Sequence, residues 1–203
     1  SCVLLVGASE EWINQTAREA GSLGLHPVVL SNPLTAMLVH KQRAEHSAIL
    51  VGTRTALLDN PSLTVRHWYG RSPVRVVLDR NLSLPASLHL FDGTVPTLVF
   101  TARQAASTHN VEYIQADYTR PLLPQIMETL YQRNLQSLLV EGGSRLLQSF
   151  IDSSLWDEAF VEKTPVMLHD GIGAPHMNHH FFCDSVQHFG HDIRHYWAER
   201  FCK

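Results

Sequence analysis

Short apolar runs rich in branched residues alternate with longer amphipathic stretches along the chain. The runs predict buried strands, because they are brief, continuously apolar and bounded by turn residues. Six such strands are expected, at residues 2–6, 26–30, 47–52, 74–78, 97–100 and 137–140. The amphipathic stretches predict helices at residues 10–20, 33–45, 120–133 and 144–153, with a helical turn at 53–58. The remainder, about 156–197, is predicted to be β-rich with a long loop at 168–180.

Local signals support several of these boundaries. Ser31-Asn32-Pro33 is typical of a helix start, since a polar cap is followed by proline in the first turn. Asn60-Pro61 should end the short helix before it, because a residue preceding proline avoids the helical region. Strands that alternate with helices imply an α/β fold with a mostly parallel sheet and helices on both faces. The C-terminal region should add an antiparallel strand pair. No linker or repeat divides the chain, so residues 1–203 are predicted to form one domain.

Composition narrows the class of protein. The chain has 203 residues, of which 44% are hydrophobic and 17% charged, a profile typical of a globular domain. Its formal net charge of −3 gives no general attraction to nucleic acid. No apolar run is long enough to cross a membrane, so no membrane partner is expected. Three cysteines without a CxxC pair fit a reducing compartment, and we expect a cytoplasmic protein.

Histidine is abundant, with 13 in the chain and many near the C-terminus. The spacing His176-x-x-His179-His180 could hold a metal ion. However, no H-E-x-x-H helix and no cysteine pair completes such a site. The sequence therefore predicts no metal.

One candidate ligand site follows the strand at 137–140. There Glu141-Gly142-Gly143 leads directly into the helix at 144–153. Glycines at a strand end let backbone N–H groups approach a phosphate, and the helix N-terminus adds a favourable dipole. The segment is interpreted either as a pyrophosphate cradle or as a structural turn, and the residues alone leave both open.

A second candidate follows the strand that ends at Gly52. Hydroxyl, carboxylate and guanidinium groups come close together there, at Thr53, Arg54, Thr55, Asp59 and Arg66. Hydroxyls and arginines suit ribose and phosphate oxygens, but a turn with a surface ion pair explains them equally well. The first strand also ends in small residues, beginning with Gly7. No G-x-G-x-x-G fingerprint, P-loop or G-x-S-x-G elbow is present.

Several of these segments together resemble one known family. Residues 41–53, 58–66, 73–79, 140–144 and 155–158 follow in order the motifs of the riboflavin-biosynthesis reductase domain. The resemblance covers roughly residues 30–175. It implies a dihydrofolate-reductase-like fold and an NADPH-dependent oxidoreductase. The implied reaction reduces the ribosyl group of 5-amino-6-(5-phosphoribosylamino)uracil to ribityl, so the partner is a phosphorylated pyrimidine.

The resemblance also implies roles for individual residues. Arg43, Leu63, Arg66 and Glu141 would contact the substrate, with the arginines near its 5-phosphate and Glu141 as the catalytic carboxyl group. The implied cofactor-binding residues are Gly7, Thr55, Asp59, Gly143, Ser144, Arg145, Leu146, Leu147, Gln148 and Ser149. Arg80, Arg54 and Arg103 are each candidates for the 2′-phosphate of NADPH.

The first strand departs from the family pattern, which expects lysine where Leu5 stands and Asp-Gly where Glu11 and Trp12 stand. This departure keeps two alternatives open, a non-catalytic nucleotide-binding or assembly module of the same fold, and a reductase of a pterin-like substrate. Many family members carry a zinc deaminase domain before the reductase, and its signature is absent here. The chain is therefore expected to be a separate reductase or part of a longer deaminase/reductase. The family also suggests a homodimer.

Overall fold

The computed structural model describes residues 2–6, 32–164, 173–177 and 181–199, with residues 2–6 described as backbone only. The strands are β1 (Cys2–Val6), β2 (Ala48–Val51), β3 (Val74–Leu78), β4 (Thr97–Thr101), β5 (Val111–Gln115), β6 (Leu138–Glu141), β7 (Glu158–Lys163), β8 (Phe181–His188) and β9 (Asp192–Ala198). The helices are α1 (Pro33–Glu45), α2 (Thr53–Asp59), α3 (Leu122–Gln132) and α4 (Ser144–Asp152), with a 3-10 turn at His89–Phe91. The helix predicted at 10–20 and the strand predicted at 26–30 lie outside the described residues.

The nine described strands form one sheet in the order β5-β4-β3-β2-β6-β1-β7-β9-β8. Every pairing from β5 across to β7 is parallel. The pairings of β7 with β9 and of β9 with β8 are antiparallel. The predicted mostly parallel α/β sheet with an antiparallel C-terminal pair is confirmed. Parallel neighbours end at the same edge, so the carboxyl ends of β4, β3, β2, β6 and β1 form one continuous row.

Two hydrophobic cores cover the two faces of this sheet. On β2, Ala48 and Leu50 belong to the core that contains α3 and α4, whereas Ile49 and Val51 belong to the core that contains α2. All four side chains of β2 are buried, as expected for a parallel strand covered on both sides. Helices therefore lie on both faces, as predicted, and the strand ends are left as the edge at which ligands can bind.

The predicted start of α1 is confirmed in detail. The Asn32 side-chain oxygen accepts hydrogen bonds from the backbone N–H groups of Leu34 and Thr35, both at 3.0 Å. The Thr35 hydroxyl accepts in turn from the Asn32 backbone N–H at 3.0 Å. The Asn32 side-chain amide also donates to the Phe189 carbonyl at 2.6 Å. The cap thus fixes the start of α1 against the turn between β8 and β9.

A buried cation stabilises the amino-terminal side of the sheet. Arg75 on β3 has no exposed surface, and its guanidinium donates to the Asp92 carboxylate at 2.8 Å and to the Thr94 hydroxyl at 3.2 Å. Burial opposes the ionisation of Asp92, but the hydrogen bonds from Arg75 and Thr94 outweigh it and lower its pKa to about 2. The carboxylate therefore stays ionised in the folded chain under acidic conditions.

Asp92→Asn should make the free energy of unfolding less dependent on pH in the acid range. A carboxyl group whose pKa is lower in the folded state stabilises the fold above its unfolded pKa of about 3.9. That stabilisation is lost as the pH falls towards 2. Urea unfolding of both proteins between pH 2 and 7 should show a difference that is constant above about pH 5 and shrinks below about pH 4. A difference independent of pH would contradict the assignment.

Candidate active site at the carboxyl edge of the sheet

The two candidate segments meet because their strands are neighbours. β2 and β6 pair in parallel, with Leu50 opposite Val140, so Gly52 and Gly142 follow adjacent strand ends. A Cβ atom built on Gly142 would lie 3.1 Å from Thr55 Cγ2, and one built on Gly143 would lie 3.1 Å from Thr55 Oγ1. The first turn of α2, which follows β2, therefore lies against the Gly142-Gly143 turn that leads from β6 into α4. The structure places the predicted cofactor residues Thr55 and Gly143 in one cradle.

The Gly142-Gly143 turn has a conformation that other residues rarely adopt. Both glycines have positive φ angles, of +76° and +74°. Gly143 is the N-cap of α4, and no side chain there caps the helix. Among the residues that the structure describes, no side chain caps the N–H groups of the first helical turn, and these groups carry the positive end of the helix dipole. This geometry fits a phosphate group.

The predicted cofactor residues on α4 differ in what their side chains contact. The Ser144 hydroxyl donates to the Gly173 carbonyl at 2.7 Å, while Gln148 exchanges hydrogen bonds with the His176 backbone at 2.8 and 3.2 Å. Residues 173–177 therefore lie along this side of α4. Leu147 is buried in the hydrophobic core, which turns its side chain away from any ligand at the edge. The remaining three residues are the exposed Arg145, the half-buried Leu146 and Ser149, whose hydroxyl donates to the Leu146 carbonyl.

A buried ion pair lies beside the glycine turn. The Arg43 guanidinium donates from Nε to Glu141 Oε2 at 2.9 Å and from Nη2 to Glu141 Oε1 at 2.6 Å. Its Nη1 donates to the Thr64 carbonyl at 3.1 Å. Arg43 is 1% exposed and Glu141 is 4% exposed, so both charges are almost fully shielded from water. The two residues predicted as substrate contacts therefore bind each other directly.

The other two predicted substrate residues lie in the loop that Arg43 contacts. Leu63 is buried at 1% exposure with a positive φ of +53°, whereas Arg66 is exposed. The Arg66 backbone N–H donates to Nδ1 of the buried His40 at 3.1 Å. The structure thus brings Arg43, Leu63, Arg66 and Glu141 into one region. Asp59, the last residue of α2, is half-buried at the start of the same connection.

Comparison with known proteins identifies the family. The sequence profile of the RibD C-terminal domain matches residues 7–193. The chain belongs to the RibD C-terminal domain family. This match extends beyond the stretch over which the motifs of the sequence resemble the riboflavin-biosynthesis reductase domain, and it confirms that resemblance.

Individual relatives of this RibD C-terminal domain agree with the assignment. It is 32% identical over 139 residues to the 2,5-diamino-6-ribosylamino-4(3H)-pyrimidinone 5′-phosphate reductase of Methanothermobacter thermautotrophicus, covering 64% of each chain. Among solved structures it resembles the Thermotoga maritima diaminohydroxyphosphoribosylaminopyrimidine deaminase/5-amino-6-(5-phosphoribosylamino)uracil reductase. That match has a TM-score of 0.77 and 26% identity, over 97% of this chain and 56% of the other. The chain spans only 36% to 39% of the length of longer curated relatives that it matches.

The predicted fold family is also confirmed. The dihydrofolate reductase of Enterococcus faecalis aligns with the RibD C-terminal domain at a TM-score of 0.52 and 11% identity, over 97% of this chain and 95% of the reductase. At that identity the likeness concerns the fold alone.

Three arginines follow neighbouring strand ends on the side of the cradle away from β6. Arg54 follows β2, Arg80 follows β3 and Arg103 follows β4, and all three are exposed. The Arg80 guanidinium carbon lies 5.4 Å from the centre of the Tyr118 ring. Burial and the nearby Asp79 charge raise the pKa of Tyr118 to about 12, against the opposing effect of Arg80. Its hydroxyl, which donates to the Phe100 carbonyl, therefore stays protonated at neutral pH.

The C-terminal histidines pair with carboxylates on the antiparallel strands. His195 lies 3.0 Å from Glu158, His191 lies 2.8 Å from Glu162 and His188 lies 3.0 Å from Asp192. Within the described ranges, no group of three histidine, cysteine, aspartate or glutamate side chains could hold a metal ion. Of the predicted His176-x-x-His179-His180 set, only His176 is described. No described helix is long and apolar enough to cross a membrane.

Proposed function

We propose that this chain is a reductase of riboflavin biosynthesis that uses NADPH to reduce the ribosyl group of 5-amino-6-(5-phosphoribosylamino)uracil to ribityl. One observation carries the proposal: the buried carboxylate Glu141 is followed directly by the Gly142-Gly143 cradle at the start of α4. A nucleotide phosphate in the cradle and a substrate beside Glu141 would lie next to each other. Such an arrangement would let the nicotinamide of the bound cofactor reach the substrate, which direct hydride transfer requires.

The names of the relatives support this substrate class. The Methanothermobacter relative is named for reduction of a 2,5-diaminopyrimidinone ribosyl phosphate, and the Thermotoga protein for reduction of a 5-aminouracil ribosyl phosphate. Both names describe phosphorylated ribosylaminopyrimidines. An exposed arginine is suited to the phosphate of either compound, and we assign that contact to Arg66.

We infer the following contributions from the residues of the chain. Reduction requires the ring-opened sugar. In this step the C1′–O4′ bond breaks, the nitrogen lone pair forms the C1′=N bond of a protonated imine, and O4′ takes a proton from water, which leaves C1′ as the carbon to be reduced. The hydride for that carbon would come from a reduced nicotinamide, when one is bound. Glu141 stabilises the positive charge of the protonated imine nitrogen, because a fixed carboxylate acts strongly in a site shielded from water. Since both Glu141 oxygens accept hydrogen bonds from Arg43, we assign Glu141 this electrostatic role rather than proton donation.

The cofactor would be held by the cradle and by the adjacent strand ends. The N–H groups at the start of α4, which Gly143 does not cap with a side chain, suit the pyrophosphate, and Thr55 lines the opposite wall. The arginines after β2, β3 and β4 suit the 2′-phosphate that distinguishes NADPH from NADH. Gly7 would contribute from the end of β1, but it lies outside the described residues.

Gly142→Ala should weaken NADPH binding by roughly 5- to 30-fold, because a left-handed residue with a Cβ costs about 1–2 kcal/mol and the new atom would press on Thr55. Fluorescence titration with NADPH measures the dissociation constant. Gly93→Ala is the matched control, since Gly93 also has a positive φ, of +72°, but lies in the connection before β4. Gly93→Ala should destabilise the fold without changing NADPH affinity. Equal effects of both variants on affinity would remove the cradle assignment.

A second function, a non-catalytic nucleotide-binding module, is favoured by one observation. Leu5 pairs in register with Glu141, so the position where the family expects lysine lies beside the proposed catalytic carboxylate. A missing cation there would change the electrostatics of the reacting groups. If the chain is a non-catalytic module, it binds NADPH without turnover, and Leu5→Lys should increase any residual activity.

The deciding experiment follows NADPH oxidation at 340 nm with the two phosphoribosylaminopyrimidines named above, each in turn. Turnover of the aminouracil compound supports the proposal. Turnover of the diaminopyrimidinone compound alone would make that compound the substrate instead. Binding of NADPH without turnover of either supports the non-catalytic module. The proposed homodimer and cytoplasmic location are tested separately, by sedimentation and by cell fractionation.

A further inference from the structure

Helix α1 contacts the loop that carries Arg66 through a histidine that the proposed function does not use. His40 is 1% exposed, and its Nδ1 accepts the Arg66 backbone N–H at 3.1 Å. A ring nitrogen that accepts a hydrogen bond carries no proton, so Nδ1 is the unprotonated nitrogen of His40. The contact depends only on the backbone of residue 66, which leaves the Arg66 side chain exposed.

Further contacts hold the same loop, residues 63–72, which we name the Arg66 loop. Arg43, one turn after His40 on α1, donates to the Thr64 carbonyl at 3.1 Å. A Cβ atom built on Gly70 would lie 2.9 Å from the Ala44 Cβ, so the far end of the loop also approaches α1 closely. The ring of His67 meets the His40 ring edge-on, with their centres 4.9 Å apart. The loop is therefore held against one face of α1 over most of its length.

His40 and Arg43 bind different backbone groups of the Arg66 loop. Arg43 binds a carbonyl and also holds Glu141, whereas His40 binds the N–H two residues further along. Together they fix the orientation of the peptide groups on either side of Val65, and so the direction in which the Arg66 side chain leaves the backbone. A phosphate-binding side chain is effective only if its direction is set before the ligand arrives.

We propose that His40 is a positioning residue, whose Nδ1 acceptor orients Arg66 for the substrate phosphate. This inference rests on the proposed function for the identity of the ligand. It requires an acceptor at the position of Nδ1, and it does not require an imidazole ring. The variant that tests it must therefore supply or remove that acceptor with little other change.

Three variants separate the acceptor from the rest of the side chain. His40→Leu removes the acceptor and keeps an apolar side chain of similar reach. His40→Asn keeps an acceptor oxygen at the position of Nδ1, and His40→Gln moves it one bond further out. We expect His40→Leu to raise the KM for the phosphorylated substrate about tenfold, with kcat changed less than twofold. His40→Asn should return KM to within about threefold of wild type, and His40→Gln should not. The NADPH dissociation constant should not change.

A second measurement tests the position of the loop without the reaction. Trypsin can cleave after Arg66 and Arg71, and both residues are exposed within the Arg66 loop. His40→Leu should speed cleavage at these two sites relative to cleavage after Arg133, the residue that follows α3, and His40→Asn should restore the slow rate. This comparison holds whether or not the chain turns over substrate.

The outcomes are distinct. If wild type has no turnover but His40→Leu loosens the loop, the proposed function fails while the positioning contact is supported. Unchanged KM and unchanged cleavage in His40→Leu would overturn the inference. A failure of His40→Asn to restore either property would also overturn it, because the acceptor would then not be the feature that matters.

Discussion

Arg43→Ala should lower the free energy of unfolding by about 3–5 kcal/mol, because it leaves the buried Glu141 carboxylate without its partner. Chemical denaturation of the variant and the wild type measures this difference. Arg133→Ala is the control at the surface, since Arg133 and Glu112 form an ion pair through one contact of 2.5 Å with side chains 34% and 49% exposed. That pair should contribute less than about 1 kcal/mol.

A double variant separates the stability of the pair from its function. Arg43→Met together with Glu141→Leu replaces two buried charges by apolar groups, a change that is often neutral or stabilising in buried ion pairs. Stability should return to near the wild-type value, whereas turnover should stay abolished because the carboxylate is gone. A loss of stability in Arg43→Ala no larger than in Arg133→Ala would show that the pair is not important for the fold.

Arg66→Ala should raise the KM for the phosphorylated substrate by about 30- to 150-fold, equivalent to about 2–3 kcal/mol of lost phosphate binding. Arg66 is exposed and its backbone N–H is hydrogen-bonded to His40, so this backbone contact of the loop is kept when the side chain is removed beyond Cβ. Initial rates over a range of substrate concentrations give KM and kcat separately.

Arg71→Ala is the control for that measurement. Arg71 is exposed in the same Arg66 loop, but it lies at the opposite end from the Arg43 and His40 contacts. Its removal should change KM less than threefold at moderate salt, because isolated surface charges are screened. If both variants raised KM equally, general attraction of the phosphate to a basic loop would replace the specific contact.

The sequence predicts most of the central sheet because its parallel strands are buried on both faces. Such strands are continuous apolar runs, and five parallel strands, β1, β2, β3, β4 and β6, are predicted close to their observed bounds. β5 was not expected. Its residues, Val111–Gln115, mix one buried apolar side chain with exposed Glu112 and Gln115, because β5 lies at the edge of the sheet. Edge strands lack the apolar signal on which the prediction depends.

The sequence indicates which residues lie near the site better than it indicates the contacts between them. Glu141 and Arg43 are far apart in the sequence, so no local pattern indicates that they bind each other. Leu147 was assigned to the cofactor as part of a continuous stretch, yet the helical period turns its side chain into the core. The spacing of His40, three residues before Arg43 and so on the same helix face, is the sequence feature that indicates its place beside the site. The assignments of the site residues to substrate and cofactor stay predictions.

The position of β1 in the sheet has a consequence for how the chain reaches its folded state. β1 lies between β6 and β7, with Cys2 opposite Leu138 and Val3 opposite Glu158. Both neighbours of β1 therefore follow it at a long distance along the sequence. Closing so long a loop is entropically costly, and pairings of this kind slow folding. The pairing of β1 with β6 and β7 should consequently form late in folding. A chaperone that shields an unpaired apolar strand should therefore increase the yield of the folded chain.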